Sequence, residues 1–251
     1  METKRYFVEL SYNGTDFHGW QIQPNGITVQ ECLDKALSIY FRQEIISLGC
    51  GRTDTGVHAT QFYAHIDLVN VTHKQIANAT TGLNALLPYS IAVHRIFEVA
   101  TDAHARFDAT SRTYEYHIHT FKDAFIHEGS WLFAQPLQLE LMNEATALLL
   151  NHTDFECFSK VQTDVFTFNC KITLAQWIQN GNQILFTITA DRFLRNMVRA
   201  IVGTFINIGL QKITIEDLQK ILDSKDRSQA GFSVPAHGLY LTQITYPYLN
   251  A

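Results

Sequence analysis

Gly49, Gly51 and Gly56 fall between an apolar run and an alternating one, and this stretch constrains the local fold more than any other. Ile45, Ile46 and Leu48 precede the run Gly49-Cys50-Gly51-Arg52-Thr53-Asp54-Thr55-Gly56-Val57-His58-Ala59, and Phe62, Ala64, Ile66 and Leu68 alternate after it. Alternation is the period of a half-buried strand. The glycines suit a sharp turn with positive φ or close backbone approach. The stretch is therefore predicted to join two strands and to present Asp54 on a loop held by rigid neighbours. On one view Asp54 is an Asx-turn residue bonding its own backbone. On the other it is a carboxylate presented for chemistry, and spacing leaves both open.

Helix and strand patterns alternate around this turn. Tyr6 to Tyr12 reads as a strand, and Asn13-Gly14 opens a polar loop that runs through Phe17, His18, Gly19, Trp20 and Gln21. Thr28-Val29-Gln30-Glu31 has the form of a capping box, starting a helix whose Val29, Cys32, Leu33, Ala36, Leu37 and Tyr40 share a core face. Thr72-His73-Lys74-Gln75 starts a second, through Ile76, Ala79 and Leu83 to a stop near Pro88. A strand from Ile91 to Phe97 follows. The second half reads as a strand from Thr113 to His119, a helix from Leu139 to Leu150, and strands at Ile172 to Ile178 and Ile184 to Ala190. A long helix, Phe193 to Gly209, a short one, Thr214 to Leu222, a Gly/Ser loop and a closing strand, Leu239 to Tyr246, complete it.

This content predicts an α+β fold with helices on one side of a largely antiparallel sheet. The halves have similar elements without a strict sequence repeat. They are expected to be two pseudo-duplicated α+β domains, 1–105 and 106–251, parted where Asp, His and Thr interrupt the patterns between Thr101 and Thr110. An active-site cleft at such a junction would be typical of enzymes.

With 251 residues and 46% hydrophobic content the chain can build real cores. No apolar run approaches the roughly 18 residues of a membrane span, so a cytoplasmic protein is expected, with no membrane partner. Cys32, Cys50, Cys157 and Cys170 are far apart in sequence and are read as reduced thiols. The net charge of −5 is awkward for a nucleic-acid partner, which draws on Lys and Arg. Distribution matters more than the sum, however: Arg192, Arg195 and Arg199 lie close together in sequence, with Arg52, Arg106 and Arg112 elsewhere. They are either solvated surface charges or parts of a basic cleft.

Several motifs point to one family. Gly51-Arg52-Thr53-Asp54-Thr55-Gly56-Val57-His58-Ala59 resembles the active-site signature of the tRNA pseudouridine synthase A (TruA) family. Arg112-Thr113-Tyr114-Glu115-Tyr116 resembles its Arg-x-Tyr-x-Tyr strand. His104-Ala105-Arg106-Phe107, Asp154-Phe155-x-x-Phe158 and Phe193-Leu194-Arg195-Asn196-Met197-Val198-Arg199-x-Ile201-Val202-Gly203 are similar to further family segments. So are Tyr12-Asn13-Gly14, Gly19-Trp20-Gln21 and the closing Pro235-Ala236-His237-Gly238-Leu239-Tyr240-Leu241. The resemblance spans nearly the whole chain in the expected order.

It implies the pseudouridine synthase fold and isomerisation of uridine to pseudouridine on the 3′ side of the tRNA anticodon stem and loop, positions 38–40. It also implies no cofactor or metal, and a homodimer. In family terms Asp54 is the essential catalytic residue, as nucleophile or as base. Tyr114 stacks on the uracil and assists proton removal from C5. Arg199 pairs with Asp54 and favours its charged form. Arg52 holds the extruded nucleotide, and Arg106, Arg192, Arg195 and Leu239 complete the substrate contacts.

The chain departs from the pattern at Thr55, where the family usually has Ala, and at Thr167-Phe168-Asn169-Cys170, where many relatives carry an arginine. Two other readings compete with this one. His117-x-His119 puts two rings on one strand face, but no His-Glu-x-x-His helix accompanies them, which disfavours a zinc hydrolase. A non-catalytic RNA-binding protein on the same scaffold would bind tRNA without releasing the C5 hydrogen.

Overall fold

In the computed structural model, which describes residues 3–160 and 166–249, the chain divides into two units, Met1–Thr110 with Leu241–Ala251 and Ser111–Tyr240. The first contains β1 (Thr3–Tyr12), α1 (Val29–Phe41), β2 (Leu48–Gly49), β3 (His58–Val69), α2 (His73–Asn84) and β4 (Ile91–Val99). Strand β1 lies between β4 and β3, antiparallel to both, and β2 pairs antiparallel with β3. From Leu241 on, β9 (Leu239–Thr245) belongs to this unit, beside β3, and Ile244 N donates to Gln61 Oε1 at 2.9 Å.

Helices α1 and α2 form where expected, with one change of face in α1 and only half of its expected capping box made. Thr28 caps α1 by accepting from Glu31 N, and Val29, Leu33, Ala36 and Leu37 are buried. Cys32 and Tyr40, expected in the core, are only half-buried, while Gln30, Asp34 and Phe41 are buried. The buried polar pair is tied to Ser47, although Asp34 Oδ2 is buried without a hydrogen-bond partner. Asp34 Oδ1 accepts from Ser47 N at 3.0 Å and from Ser47 Oγ at 2.5 Å, and Gln30 Nε2 donates to Ser47 O at 2.7 Å. Helix α1 thereby holds the chain just before β2. At α2 both bonds of the Thr72–Gln75 capping box are made, and the Asn84 amide clamps Val93 N and O of β4.

The second unit contains β5 (Ser111–His119), β6 (Trp131–Leu132), α3 (Leu139–Asn151), β7 (Ile172–Asn180), β8 (Gln183–Ala190), α4 (Met197–Gly209) and α5 (Ile215–Ser224). Strand β8 lies between β5 and β7, antiparallel to both, and β6 runs parallel to β5. Trp177 and Phe186 stack with centroids 4.5 Å apart, and Phe205 of α4 closes on both. Helix α4 is buried along almost its whole length, which is why its apolar residues run all round it.

The sequence pattern begins α4 at Phe193, but the helix begins at Met197. Asn196, its N-cap, adopts φ 67°, a left-handed conformation open to Asn that no continuing helix allows. Residues 193–196 therefore form a turn, and Arg195 lies off the helix.

The α+β class expected from the sequence is the one observed. Elements run β-α-β-β-α-β through the first unit before β9, and β-β-α-β-β-α-α through the second, and this order displays no duplication. The cysteines are free thiols, with Cys157 and Cys170 pushed up to about 12 by burial. Among the described residues no helix is long and apolar enough to cross a membrane.

Candidate functional site

The loop of Asp54 is fixed by close backbone contacts. Gly56 has φ +78°, closing a turn in which Val57 N donates to Asp54 O at 3.1 Å. Gly49 is needed for a different reason: a Cβ there would stand 2.6 Å from the Trp20 ring. Gly51 meets neither expectation, having ordinary φ and nothing within 4 Å of a built Cβ.

Residues 12–20 hold the same loop from the other side. Thr53 Oγ1 and Tyr12 Oη share a buried hydrogen bond of 2.8 Å. Trp20 N donates to Thr53 O at 3.3 Å and Gly56 N to Phe17 O at 3.3 Å. Gly19, at φ +83°, would place a Cβ 2.4 Å from Thr53 O, and Gly14 one 2.0 Å from Val57 O. Gly14 N donates to Nδ1 of buried His58, so a neutral His58 carries its proton on Nε2. Trp20 is buried in a stack on Phe62 with centroids 4.1 Å apart. Asp54 is half-buried, and Arg52 and Thr55 are exposed.

In the second unit, Tyr114 and Tyr116 share a face of β5 but differ in setting. Tyr114 is half-buried, with Phe193 edge-on at 5.2 Å. Tyr116 is fully buried, its hydroxyl donating to Pro235 O at 2.8 Å, and burial pushes its ionisation far above the ordinary range. Tyr116 is thus a structural residue. Arg199 Nε donates to Val234 O at 2.7 Å, and Val234 N donates to Arg199 O at 3.3 Å. The segment 231–235, which the sequence shows only as part of a Gly/Ser loop and the start of the closing motif, is therefore what seats Arg199.

That segment lies on α4 where Gly203 leaves room: a Cβ at 203 would sit 1.8 Å from Phe232 O. Thr204 Oγ1 accepts from Gly231 N at 2.8 Å, and Ser233 Oγ accepts from Asn196 Nδ2 at 2.6 Å and from Arg227 Nη2 at 2.9 Å. The signal for this in the sequence is a glycine inside an otherwise bulky helix. Leu239 follows directly as a buried residue at the start of β9.

The remaining arginines separate into two groups. In the first unit His104 Nδ1 accepts from Arg106 N at 3.1 Å and Phe107 N at 3.3 Å, and His65 Nδ1 accepts from Ala105 N at 3.2 Å. Burial pushes His65 down to about 4, which keeps it neutral and able to accept. Arg106 is exposed on this wired loop, with Cζ 5.6 Å from the Phe107 ring centre.

In the second unit Arg112, Lys171 and Arg192 all bond to Asp191, the last two through backbone N–H groups. Arg112 Nη1 donates to Asp191 O at 2.7 Å, and Asp191 Oδ1 accepts from Lys171 N and Arg192 N. Arg192 Nη1 reaches Thr167 O at 3.3 Å, which puts a guanidinium beside the 167–170 segment. Arg195 is exposed, and its carbonyl accepts from Lys160 N. Of the two strand histidines, His117 meets Glu115 Oε2 at 3.1 Å and His119 Nδ1 meets Ser130 Oγ at 3.0 Å. Among the described residues no three His, Cys, Asp or Glu side chains are placed to share a metal ion.

Comparison with known proteins gives the same direction. A family model described as tRNA pseudouridine synthase matches residues 145–247. The tRNA pseudouridine synthase A of Porphyromonas gingivalis is 51% identical over 247 residues, covering 97% of this chain and 97% of that protein. That of Parabacteroides distasonis is 50% identical over 244 residues, covering 97% and 96%, and that of Bacteroides fragilis 47% over 248, covering 98% of each. With identity at this level along nearly the full length of both chains, the protein belongs to the tRNA pseudouridine synthase A family.

Proposed function

We propose that the protein isomerises uridine to pseudouridine in tRNA, on the 3′ side of the anticodon stem and loop. What carries the reading is near-full-length identity of about half the residues to proteins named tRNA pseudouridine synthase A. In the reaction the N1–C1′ bond breaks, the uracil turns, a C5–C1′ bond forms, and C5 loses a proton while N1 gains one. Atoms balance within the nucleotide, so no co-substrate is consumed, and we assign no cofactor or metal to the reaction.

In this reading residues 1–105 supply Asp54, acting ionised as nucleophile or base, and residues 106–251 supply Tyr114 and Arg199. The anchored backbone of Thr53 and Gly56 supports that role for Asp54, because a catalytic carboxylate gains most from a fixed position. Tyr114, steadied edge-on by Phe193, stacks on the uracil and takes part in removing the C5 proton. Arg199, its guanidinium fixed by Val234, favours a charged carboxylate. Arg52 holds the extruded nucleotide, Arg106, Arg192 and Arg195 contact phosphates, and Leu239 gives apolar contact. The working unit is a cytoplasmic homodimer, which repeats each basic patch and offsets the modest cation content of one chain; sedimentation at micromolar concentration tests it, and a monomer with full activity overturns it.

The test of the reaction is tritium release from C5-labelled uracil in tRNA. The protein should release it. Asp54→Asn, nearly isosteric, should keep melting temperature and tRNA affinity and release none. Substantial release by the purified variant would reject Asp54 as the catalytic carboxylate, and binding without release by the unmodified protein would favour the non-catalytic alternative.

A further inference from the structure

A cleft of about 340 Å³ in the second unit takes no part in the site described above; it is lined by residues 119–126 on one side and the β7–β8 turn on the other. We propose that it holds a single unstacked nucleobase of the RNA substrate, an inference resting on the tRNA reading.

The lining supplies what a base requires. Phe121 is 66% exposed and offers a ring face, on which any base can stack. Asn180, Asn182 and Gln183 bring carboxamides, each both donor and acceptor, to the same cleft. His119 also lines it: the residue is 2% exposed, its Nδ1 is engaged by Ser130 Oγ, and its Nε2 is buried with no hydrogen-bond partner.

The walls are themselves held. Thr120 N and Oγ1 both donate to Asn182 O, at 2.9 and 3.3 Å, tying the end of β5 to the β7–β8 turn. Phe125 N donates to Asp123 Oδ1 at 2.8 Å, which turns the outer loop. Lys122 is one cation beside the carboxylate of Asp123, so the cleft is poorly built for a phosphate alone. Single-stranded RNA is recognised by stacking combined with hydrogen bonds to base edges, and this lining offers both.

The experiment compares tRNA binding and turnover by the full-length protein with those of Phe121→Ala, Phe121→Leu and Phe121→Trp. Phe121→Ala and Phe121→Leu should bind tRNA about 5- to 100-fold more weakly, with turnover at saturating tRNA and the salt slope unchanged. Phe121→Trp should restore affinity, and ultraviolet irradiation should cross-link one nucleotide to the 119–126 segment in the unmodified protein and less in Phe121→Ala. Unchanged affinity and cross-linking in Phe121→Ala would overturn the proposal, as would equal loss in Phe121→Trp. Failure of the unmodified protein to bind tRNA would remove the tRNA reading as well; binding and tritium release with an inert cleft would remove this inference alone.

Discussion

Gly19→Ala tests whether the Asp54 loop is positioned by backbone contact. The residue sits at φ +83°, where an L side chain costs roughly 1–2 kcal/mol. Its new methyl would stand 2.4 Å from Thr53 O and 3.2 Å from Asp54 C, and relieving such overpacking costs roughly a further 1–3 kcal/mol. The expected loss is therefore about 2–5 kcal/mol, a large part of a typical domain's 5–15 kcal/mol. The carbonyl that must move belongs to the residue before Asp54 and accepts from Trp20 N, so the carboxylate moves with it. A displacement near 1 Å at a reacting group costs on the order of 100-fold in rate. Urea denaturation gives the first number and single-turnover tritium release the second. Gly51→Ala is the control: with ordinary φ and open space it should change stability by less than about 0.5 kcal/mol and leave the rate intact. Equal behaviour of the two variants, harmless or harmful, would refute the reasoning.

Gly203→Ala should cost at least about 3 kcal/mol and abolish turnover, because its methyl would fall 1.8 Å from Phe232 O and part α4 from the segment that seats Arg199; thermal melting and tritium release check it. Burial raises the Asp34 carboxyl from 3.8 to about 6 against the Ser47 hydrogen bonds, so the folded protein binds the extra proton and loses stability as pH rises from about 4 to 6. Two units correspond to about 3 kcal/mol, which partial solvation trims to about 1–2; Asp34→Asn should gain that much on wild type between about pH 4 and 7, and a constant difference in urea midpoint would refute it. Arg192→Ala and Arg195→Ala should each lower the slope of log affinity against log salt by about 0.7–0.9, and a slope unchanged in both would deny them phosphate contacts.

The strands and the first two helices were legible because their burial follows period. Tyr6, Val8, Leu10 and Tyr12 are buried in β1, and Leu33, Ala36 and Leu37 in α1, where the pattern places them, while Phe7, out of step with the alternation, is buried too, against Tyr246. What eluded the pattern was decided by neighbours distant in sequence. Nothing at Asn196 forbids a helix, and only its contact with Ser233 and its left-handed backbone show that α4 starts after it. Gln30 and Asp34 read as solvent-facing until Ser47 is found against them. Tyr114 and Tyr116 are equivalent by alternation, and the Pro235 carbonyl, more than a hundred residues on, separates them. Of the turn glycines, period and composition could not tell Gly51, which is unconstrained, from Gly56, which is at positive φ.

Both units seat their candidate residue by one device. Gly14 and Gly19 bring backbone against Val57 and Thr53 around Asp54, and Gly203 and Gly231 bring α4 against the segment that carries Val234 to Arg199. A contact of backbone on backbone has no rotamers to freeze and nothing between the two chains to repack. It therefore fixes a carbonyl more tightly than side-chain packing would, and the ordering is complete before substrate arrives. The cost is that the tolerance for a methyl group is nil, which explains why these glycines flank the motifs that a sequence reader notices first. It follows that damage at Gly19 should fall on turnover rather than on tRNA affinity, because the phosphate contacts proposed for Arg192 and Arg195 do not depend on the Thr53 carbonyl. A Gly19→Ala variant that binds tRNA ten times more weakly but reacts at the normal rate once bound would show that the glycine serves binding instead.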